Sequence, residues 1–200
     1  MNNYDYRVNL VDDYLKKLNL SNEIKKYYSG RNILVTGGAG AIGSNLVTTL
    51  SKLVGNDGMI IVLDNLSAIK GDEPIDLPPL SNMMFVNGDI RNDIDLKRVF
   101  REKPTIVYHL AAFFANQNSV DYPETSADVD IHGMIKLLDL AQFTGVDKFV
   151  YASSGCAIYG SYGEMPLKED FISLHLTTPY QVNKMAGEMY SNFYFHHYGL

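Results

Sequence analysis

The sequence predicts an α/β protein built on a doubly wound parallel sheet, and three observations carry that expectation. Ile33-Leu34-Val35-Thr36 is a β-branched and apolar run that enters a turn dense in glycine, after which Ile42, Leu46, Val47, Leu50 and Leu53 recur at helical spacing. Strand-like runs then alternate with helix-like runs to the end of the chain, as parallel strands joined by right-handed crossovers require. Two of the strand-like runs, 59–63 and 147–153, are largely apolar without alternation, the pattern of strands covered on both faces.

Taken in order, residues 1–30 precede the first strand. Leu10, Val11, Tyr14, Leu15 and Leu18 form an amphipathic helical stripe, and Ser21 is placed to cap a second short helix through Tyr28. This segment reads as a packing extension that covers a sheet edge or a subunit neighbour. Strands are expected at 31–36, 59–63, 83–87, 105–110 and 147–153, and helices at 41–54, 92–102, 125–144 and 178–198. Gly71, Pro74, Pro78 and Pro79 mark 65–82 as a surface loop. Tyr198-Gly199-Leu200 reads as a helix with a glycine C-cap, followed by the start of a further element. A sheet of this kind is expected to continue there, so residues 31–200 are expected to hold a dinucleotide-binding domain without the C-terminal part that usually follows.

The composition narrows the function. With 46% hydrophobic and 20% charged residues the chain is an ordinary globular protein. A net charge of −6 argues against a nucleic-acid partner, which needs a basic face. Cys156 is the one cysteine, so an internal disulfide is excluded and a reducing, cytoplasmic location is expected. No signal peptide and no bilayer-spanning run is read, and no metal site is assigned.

The glycine turn opens a helix, so unpaired N–H groups and the positive end of the helix dipole converge on one spot. Gly37, Gly40 and Gly43 are spaced for a tight turn, close backbone approach to a pyrophosphate and close helix–sheet packing, with Ala41 and Ile42 offering N–H groups between them. Asp64 ends the second strand, where a carboxylate accepts from adenosine ribose hydroxyls and repels a 2′-phosphate, which favours NAD over NADP. Asn65 and Ser67 follow it. Asp89 and Ile90 follow the third strand, on the ligand edge, where Asp89 suits an adenine amino group and Ile90 the ring; a turn or capping Asp is the alternative. His109-Leu110-Ala111-Ala112 ends the fourth strand. Leu110, Ala111 and Ala112 let a cofactor lie against backbone, while His109 reads as a structural histidine of an apolar strand.

Tyr180 and Lys184 are one helical turn apart on a shared face. A free phenol titrates near ~10, and a neighbouring ammonium favours its phenolate. The pair can then exchange a proton with a substrate hydroxyl, with Lys184 also holding the nicotinamide ribose. Ser153 and Ser154, at the end of the fifth strand, are alternatives for a hydroxyl that aligns the reacting oxygen.

These residues in this order resemble the extended short-chain dehydrogenase/reductase superfamily, nearest the nucleotide-sugar epimerases of the UDP-glucose 4-epimerase kind. The resemblance runs from about Asn32 to Leu200 through Thr36-Gly37-Gly38-Ala39-Gly40-Ala41-Ile42-Gly43, Asp64-Asn65-Leu66-Ser67, Gly88-Asp89-Ile90, His109-Leu110-Ala111-Ala112, Ser153-Ser154, Tyr159-Gly160 and Tyr180-x-x-x-Lys184. It implies tightly held NAD, a UDP-linked sugar as substrate, epimerisation at C4 through a 4-keto intermediate, Tyr180, Lys184 and Ser154 as catalytic residues, and a homodimer through helices 92–102 and 125–144. Three departures bear on the reaction. Gly155-Cys156 stands where the family's dehydratases carry Asp-Glu, which speaks against dehydration. Ser154-Gly155-Cys156 is similar to the Ser-x-Cys of GDP-fucose synthase, an NADPH enzyme, against which Asp64 argues. Asp130, before Gly133, stands where the family often has Asn, and a carboxylate there alters the electrostatics near the cofactor. A net oxidoreductase acting on a nucleotide sugar and a non-catalytic dinucleotide-binding module are the alternative functions.

Overall fold

The computed structural model describes residues 3–68, 75, 77–114, 116–155, 160, 166–168 and 171–200. The sequence readings at Gly71, Pro74, Cys156 and Tyr159 lie outside the described residues. The chain runs α1 (Asn3–Leu18), α2 (Asn22–Tyr28), β1 (Asn32–Thr36), α3 (Ala41–Val54), β2 (Met59–Asp64), β3 (Met83–Asn87), α4 (Asp93–Phe100), β4 (Ile106–His109), α5 (Asn116–Asp121), α6 (Pro123–Ala127), a π-helical segment (Asp128–Gly133), α7 (Met134–Thr144), β5 (Lys148–Tyr151) and α8 (Pro179–Tyr198). No described helix is long and apolar enough to cross a membrane.

The five strands are parallel in the order β3-β2-β1-β4-β5. Alternate residues of each strand face opposite sides of the sheet, so a continuous apolar run feeds two cores at once. Leu34, Ile61, Leu63, Val86 and Val107 meet Leu96, Val99 and Phe100 of α4 and Leu137 and Ala141 of α7. On the other side Ile33, Val35, Ile60, Val62 and Ile106 meet Val47, Leu50 and Val54 of α3. Each of these fully buried aliphatic side chains contributes ~1.5–3 kcal/mol of apolar transfer, which stiffens the strands whose carboxyl ends carry the site.

Register aligns those ends. Leu63, Thr36, His109 and Tyr151 lie in one row across β2, β1, β4 and β5. The ladder runs one residue further, from Gly37 N–H to Leu63 O (2.9 Å), Leu110 N–H to Thr36 O (3.0 Å) and Ala152 N–H to His109 O (3.0 Å). The direction of winding reverses between β1 and β4, where a doubly wound sheet opens a ligand crevice.

Two expectations change. β5 is the edge of the five-stranded sheet, and Phe149, Val150 and Tyr151 are only half-buried, because an edge strand lacks the neighbour that would seal it. The N-terminal helices do not cover a sheet edge. They lie along α3, α1 tied to it by the Lys52–Asp12 ion pair (3.2 Å), while the Tyr28 and Tyr108 hydroxyls, 2.7 Å apart, join α2 to β4. Of the α1 stripe only Val11 is buried, whereas Leu10 and Tyr14 are 50% and 58% exposed. Ser21 caps α2, its hydroxyl accepting from Ile24 N–H.

Candidate active site

The glycine turn is built by steric exclusion. Gly37 has φ +70°, and a Cβ there would stand 2.6 Å from the Ala111 nitrogen, so the ends of β1 and β4 touch backbone to backbone. A Cβ on Gly43 would stand 2.2 Å from Gly37 O, so α3 is seated directly on the turn. Gly40 is different: its φ of −74° suits any residue, and an added Cβ would meet nothing closer than 3.4 Å. Protein packing gives no reason for glycine there, but close approach of a ligand does. Gly40 is also the N-cap of α3 and makes no side-chain cap, so the first-turn N–H groups, those of Ala41, Ile42 and Gly43, lack an intrahelical acceptor and a capping side chain. Ile42 beside them is 75% exposed. A negatively charged diphosphate fits this end in charge and in donor supply.

Asp64 closes the turn from the side. Its carboxylate accepts from Ala39 N–H (2.9 Å) and Leu66 N–H (2.8 Å), so it fixes the glycine turn and the start of the next loop together. Asn65 Oδ1 accepts from Ser67 N–H, which leaves the Ser67 side chain exposed on the rim. Asp89 is more heavily engaged than the sequence suggests. One oxygen accepts from the Arg91 backbone N–H and Nε, and the other accepts from Arg91 Nη2 and Asn65 Nδ2. Two donors on each oxygen meet the capacity of a carboxylate. An adenine amino group, the role read from sequence, requires one of them to leave. The Arg91 guanidinium holds the Asp89 carboxyl down at about 2. Ile90 is buried in the core against Gly133, where a Cβ would stand 2.8 Å from its Cδ1.

His109 is structural, as its apolar strand implied. It is 1% exposed, its Nδ1 lies 2.7 Å from Thr36 Oγ1, and burial pushes its pKa down to about 3. Thr36 Oγ1 also accepts from Ala111 N–H, so a neutral imidazole, a hydroxyl and the Ala111 backbone form the crevice floor. Leu110, Ala111 and Ala112 line it, half-buried.

Tyr180 and Lys184 are placed by the start of α8. Thr178 Oγ1 accepts from Gln181 N–H while Gln181 Oε1 accepts from Thr178 N–H, a capping box with Pro179 at the first helical position. The short α5, which the sequence reading missed, clamps the same turn. Ser119 Oγ accepts from Tyr180 N–H (3.0 Å), and Thr178 Oγ1 donates to Asn116 Oδ1 (3.1 Å). Phe114 meets the Tyr180 ring edge-on, with centroids 6.1 Å apart. One turn further, Lys184 is 3% exposed and donates from Nζ to Ala152 O (2.8 Å), beyond the end of β5. Its ammonium lies 4.8 Å from the Tyr151 ring centroid and 5.7 Å from that of Tyr180. Burial lowers the Lys184 pKa, and the charge of Asp130 opposes that. The helix can approach this closely because Gly187 faces Tyr151, where a Cβ would stand 2.3 Å from the phenol oxygen. Of the two serines at this edge, Ser153 has a buried hydroxyl without a hydrogen-bond partner among the described residues, and Ser154 is half-buried beside it. An orphaned hydroxyl at the ligand edge is a donor waiting for an oxygen.

The sequence from residue 33 to residue 200 matches the model of the NAD dependent epimerase/dehydratase family. The chain belongs to that family. It is 48% identical to an epimerase from Methanothermobacter thermautotrophicus, with a TM-score of 0.83, the match covering 89% of this chain and 51% of the other. It is 37% identical to UDP-glucose 4-epimerase from Thermus thermophilus, solved in complex with NAD, with a TM-score of 0.70 over 84% of this chain and 52% of that one. It is 37% identical over 168 residues to UDP-glucose 4-epimerase from Mycolicibacterium smegmatis, covering 84% of this chain and 52% of the relative. The chain thus spans about half the length of the relatives it matches. Within this epimerase/dehydratase chain, the glycine turn follows β1, Asp64 ends β2 and Lys184 bonds the backbone just past β5, all at the carboxyl edge of the sheet. Residues 1–32 lie outside the family match.

Proposed function

We propose that this chain is the cofactor and proton-transfer part of a nucleotide-sugar epimerase that inverts C4 of a UDP-linked sugar through a 4-keto intermediate. The observation that carries the reading is the placement of Tyr180 beside the buried Lys184 ammonium at the strand edge that the α3 N-terminus also faces. In this reading the N–H groups of Gly37, Gly40, Ala41, Ile42 and Gly43 hold the pyrophosphate of NAD. Asp64, Asn65 and Ser67 hold the adenosine ribose, Asp89 lies beside the adenine with Ile90 bracing that strand end from the core, and Leu110, Ala111 and Ala112 back the cofactor. Bound NAD supplies the hydride acceptor and donor. Tyr180 takes the proton from the sugar 4-hydroxyl and returns it after the ketone has turned over. Lys184 favours the Tyr180 phenolate and holds the nicotinamide ribose, and Ser154, or the orphaned Ser153 hydroxyl, bonds the 4-oxygen. A cytoplasmic homodimer completes the proposal. Exposed apolar side chains on the two helices read from sequence, Ile94 on α4 and Phe143 on α7, and Val182, Met189 and Phe193 on α8 support such a surface.

The test uses the protein as purified. Mass measurement of the ligand released on unfolding is expected to find NAD, and NMR to find interconversion of UDP-glucose and UDP-galactose without net NADH. Tyr180→Phe is expected to lower the rate by ~10²–10⁴. NADH accumulating in step with product, or a Tyr180→Phe rate equal to wild type, would overturn the epimerase reading. NAD binding without turnover would favour the dinucleotide-binding module instead.

A further inference from the structure

We propose that Asp130 is a positioning residue that supplies the counter-charge of Lys184 and locks together the segments flanking that lysine. Asp130 lies on the π-helical segment, whose extra residue per turn changes the direction of the side chains without ending the helix. It is 3% exposed. One carboxylate oxygen accepts from Phe113 N–H (2.7 Å), in the loop that carries the β4 end of the crevice. The other accepts from the Ser126 hydroxyl (3.1 Å), and Ser126 Oγ in turn accepts from Asn183 Nδ2 (2.9 Å), immediately before Lys184. The carboxylate thus joins the crevice wall to the α8 turn that presents the lysine.

Those bonds alone do not require a charge. An asparagine would accept from Phe113 N–H through Oδ1 and, with the second bond reversed, donate from Nδ2 to Ser126 Oγ. A carboxylate adds one negative charge in a buried place, which is costly unless something nearby is positive. Lys184, also 3% exposed, is that group: its ammonium bonds the Ala152 carbonyl and faces aromatic rings, with no carboxylate among the described ion pairs. In a low-dielectric interior two such charges act on each other beyond contact distance. Burial raises Asp130 and lowers Lys184, and each charge opposes the shift of the other. The remaining groups around them do not replace this pairing. Asp128 on the same segment turns to Arg91 and His132. His109 on β4 is neutral. Tyr151 on β5 is pushed up by burial and then by Asp130, Tyr180 and Glu188, so it stays an uncharged phenol.

For turnover, the consequence rests on Tyr180 and Lys184 being the proton-transfer pair: Asp130 keeps Lys184 cationic where Tyr180 exchanges its proton. The test needs neither NAD nor sugar, so its failure and that of the epimerase reading are separable. Lysine side-chain NMR on the full chain, with Lys184→Arg to assign the resonance, follows the Lys184 titration. In Asp130→Asn the midpoint is expected to fall by about one pH unit or more. Linkage demands a reciprocal effect, so in Lys184→Met the carboxyl carbon of Asp130 is expected to titrate higher by the same amount. The second measurement decides the matter where Asp130→Asn does not fold. An unmoved Lys184 midpoint in folded Asp130→Asn, or an unmoved Asp130 midpoint in Lys184→Met, overturns the proposal.

Discussion

Lowering the pH from neutral to about 5 is expected to weaken the crevice floor through His109. The imidazole is 1% exposed and held neutral, with its pKa moved from 6.5 down to about 3 by burial. The unfolded chain binds a proton there that the folded chain refuses, so stability is complete well above 6.5 and falls as the pH drops from 6.5 towards 3. At 1.36 kcal/mol per unit, the loss is about 2 kcal/mol at pH 5 and about 3 kcal/mol at pH 4. Against a total of roughly 5–15 kcal/mol that is a readable fraction. The carboxylates held low, Asp89, Asp93 and Asp128, lose their contributions only below 3.8 and leave this window clear. Asp130 is raised by burial and acts with the opposite sign, since protonating it relieves a desolvation cost, so it offsets part of the loss. The assay is urea unfolding of wild type and His109→Asn across this range. Asn can keep a bond to Thr36 Oγ1 but cannot titrate. The variant is expected to be less stable at neutral pH yet to lack the ~2 kcal/mol slope. Parallel pH profiles for the two proteins would refute the assignment of a buried, neutral His109.

Three further outcomes separate scaffold from ligand roles. Gly37→Ala combines a φ of +70° with a 2.6 Å clash against backbone, and is expected to lose ~2–4 kcal/mol by thermal unfolding; Gly40→Ala, whose added Cβ would make only a 3.4 Å contact with Gly37 O, is expected to stay within ~0.5 kcal/mol of wild type while its NAD affinity, measured by calorimetry, falls at least ~10-fold. Thr178→Ala removes the α8 cap and its bond to Asn116, costing ~1 kcal/mol in unfolding measurements, and lowers epimerase turnover because Tyr180 sits in that first turn. Asp89→Asn discards a partly exposed ion pair with Arg91 worth ~1 kcal/mol after solvent screening; because that stability is present above 3.8 and lost towards about 2, acid unfolding of the variant is expected to be flatter in this interval.

The glycine turn, the strand-end Asp64 and the Tyr180–Lys184 pair were legible in the sequence, and most of what holds them in place was not. The glycine turn, Asp64, Tyr180 and Lys184 are few residue types at fixed spacing, and the spacing itself states the geometry: a strand end, a helix start, one helical turn. His109 was legible too, because an imidazole inside an apolar strand has little choice but to be buried and neutral. The helix over 125–144 was read from sequence as one helix, and Leu137, Leu138 and Ala141, which follow the π segment, keep an apolar helical spacing. One inserted residue shifts the pattern by less than the width of an apolar face, so periodicity cannot register it. The α5 helix, Asn116–Asp121, has no apolar period at all; its work is done by the Ser119 hydroxyl and the Asn116 amide, residue types that sequence reading assigns to turns. The α1 stripe was legible as a helix, and within this chain Val11 is its buried member while Leu15 is half-buried. Ser119, Ser126 and Asn183 therefore define a second level of the site. They act on Tyr180 and Lys184 through single hydrogen bonds to groups distant in the chain, and such bonds leave no spacing rule behind. Asp130 joins the two levels. Its departure from the family's usual asparagine was visible as a letter, but its burial and its bonds to Phe113 N–H and the Ser126 hydroxyl were not.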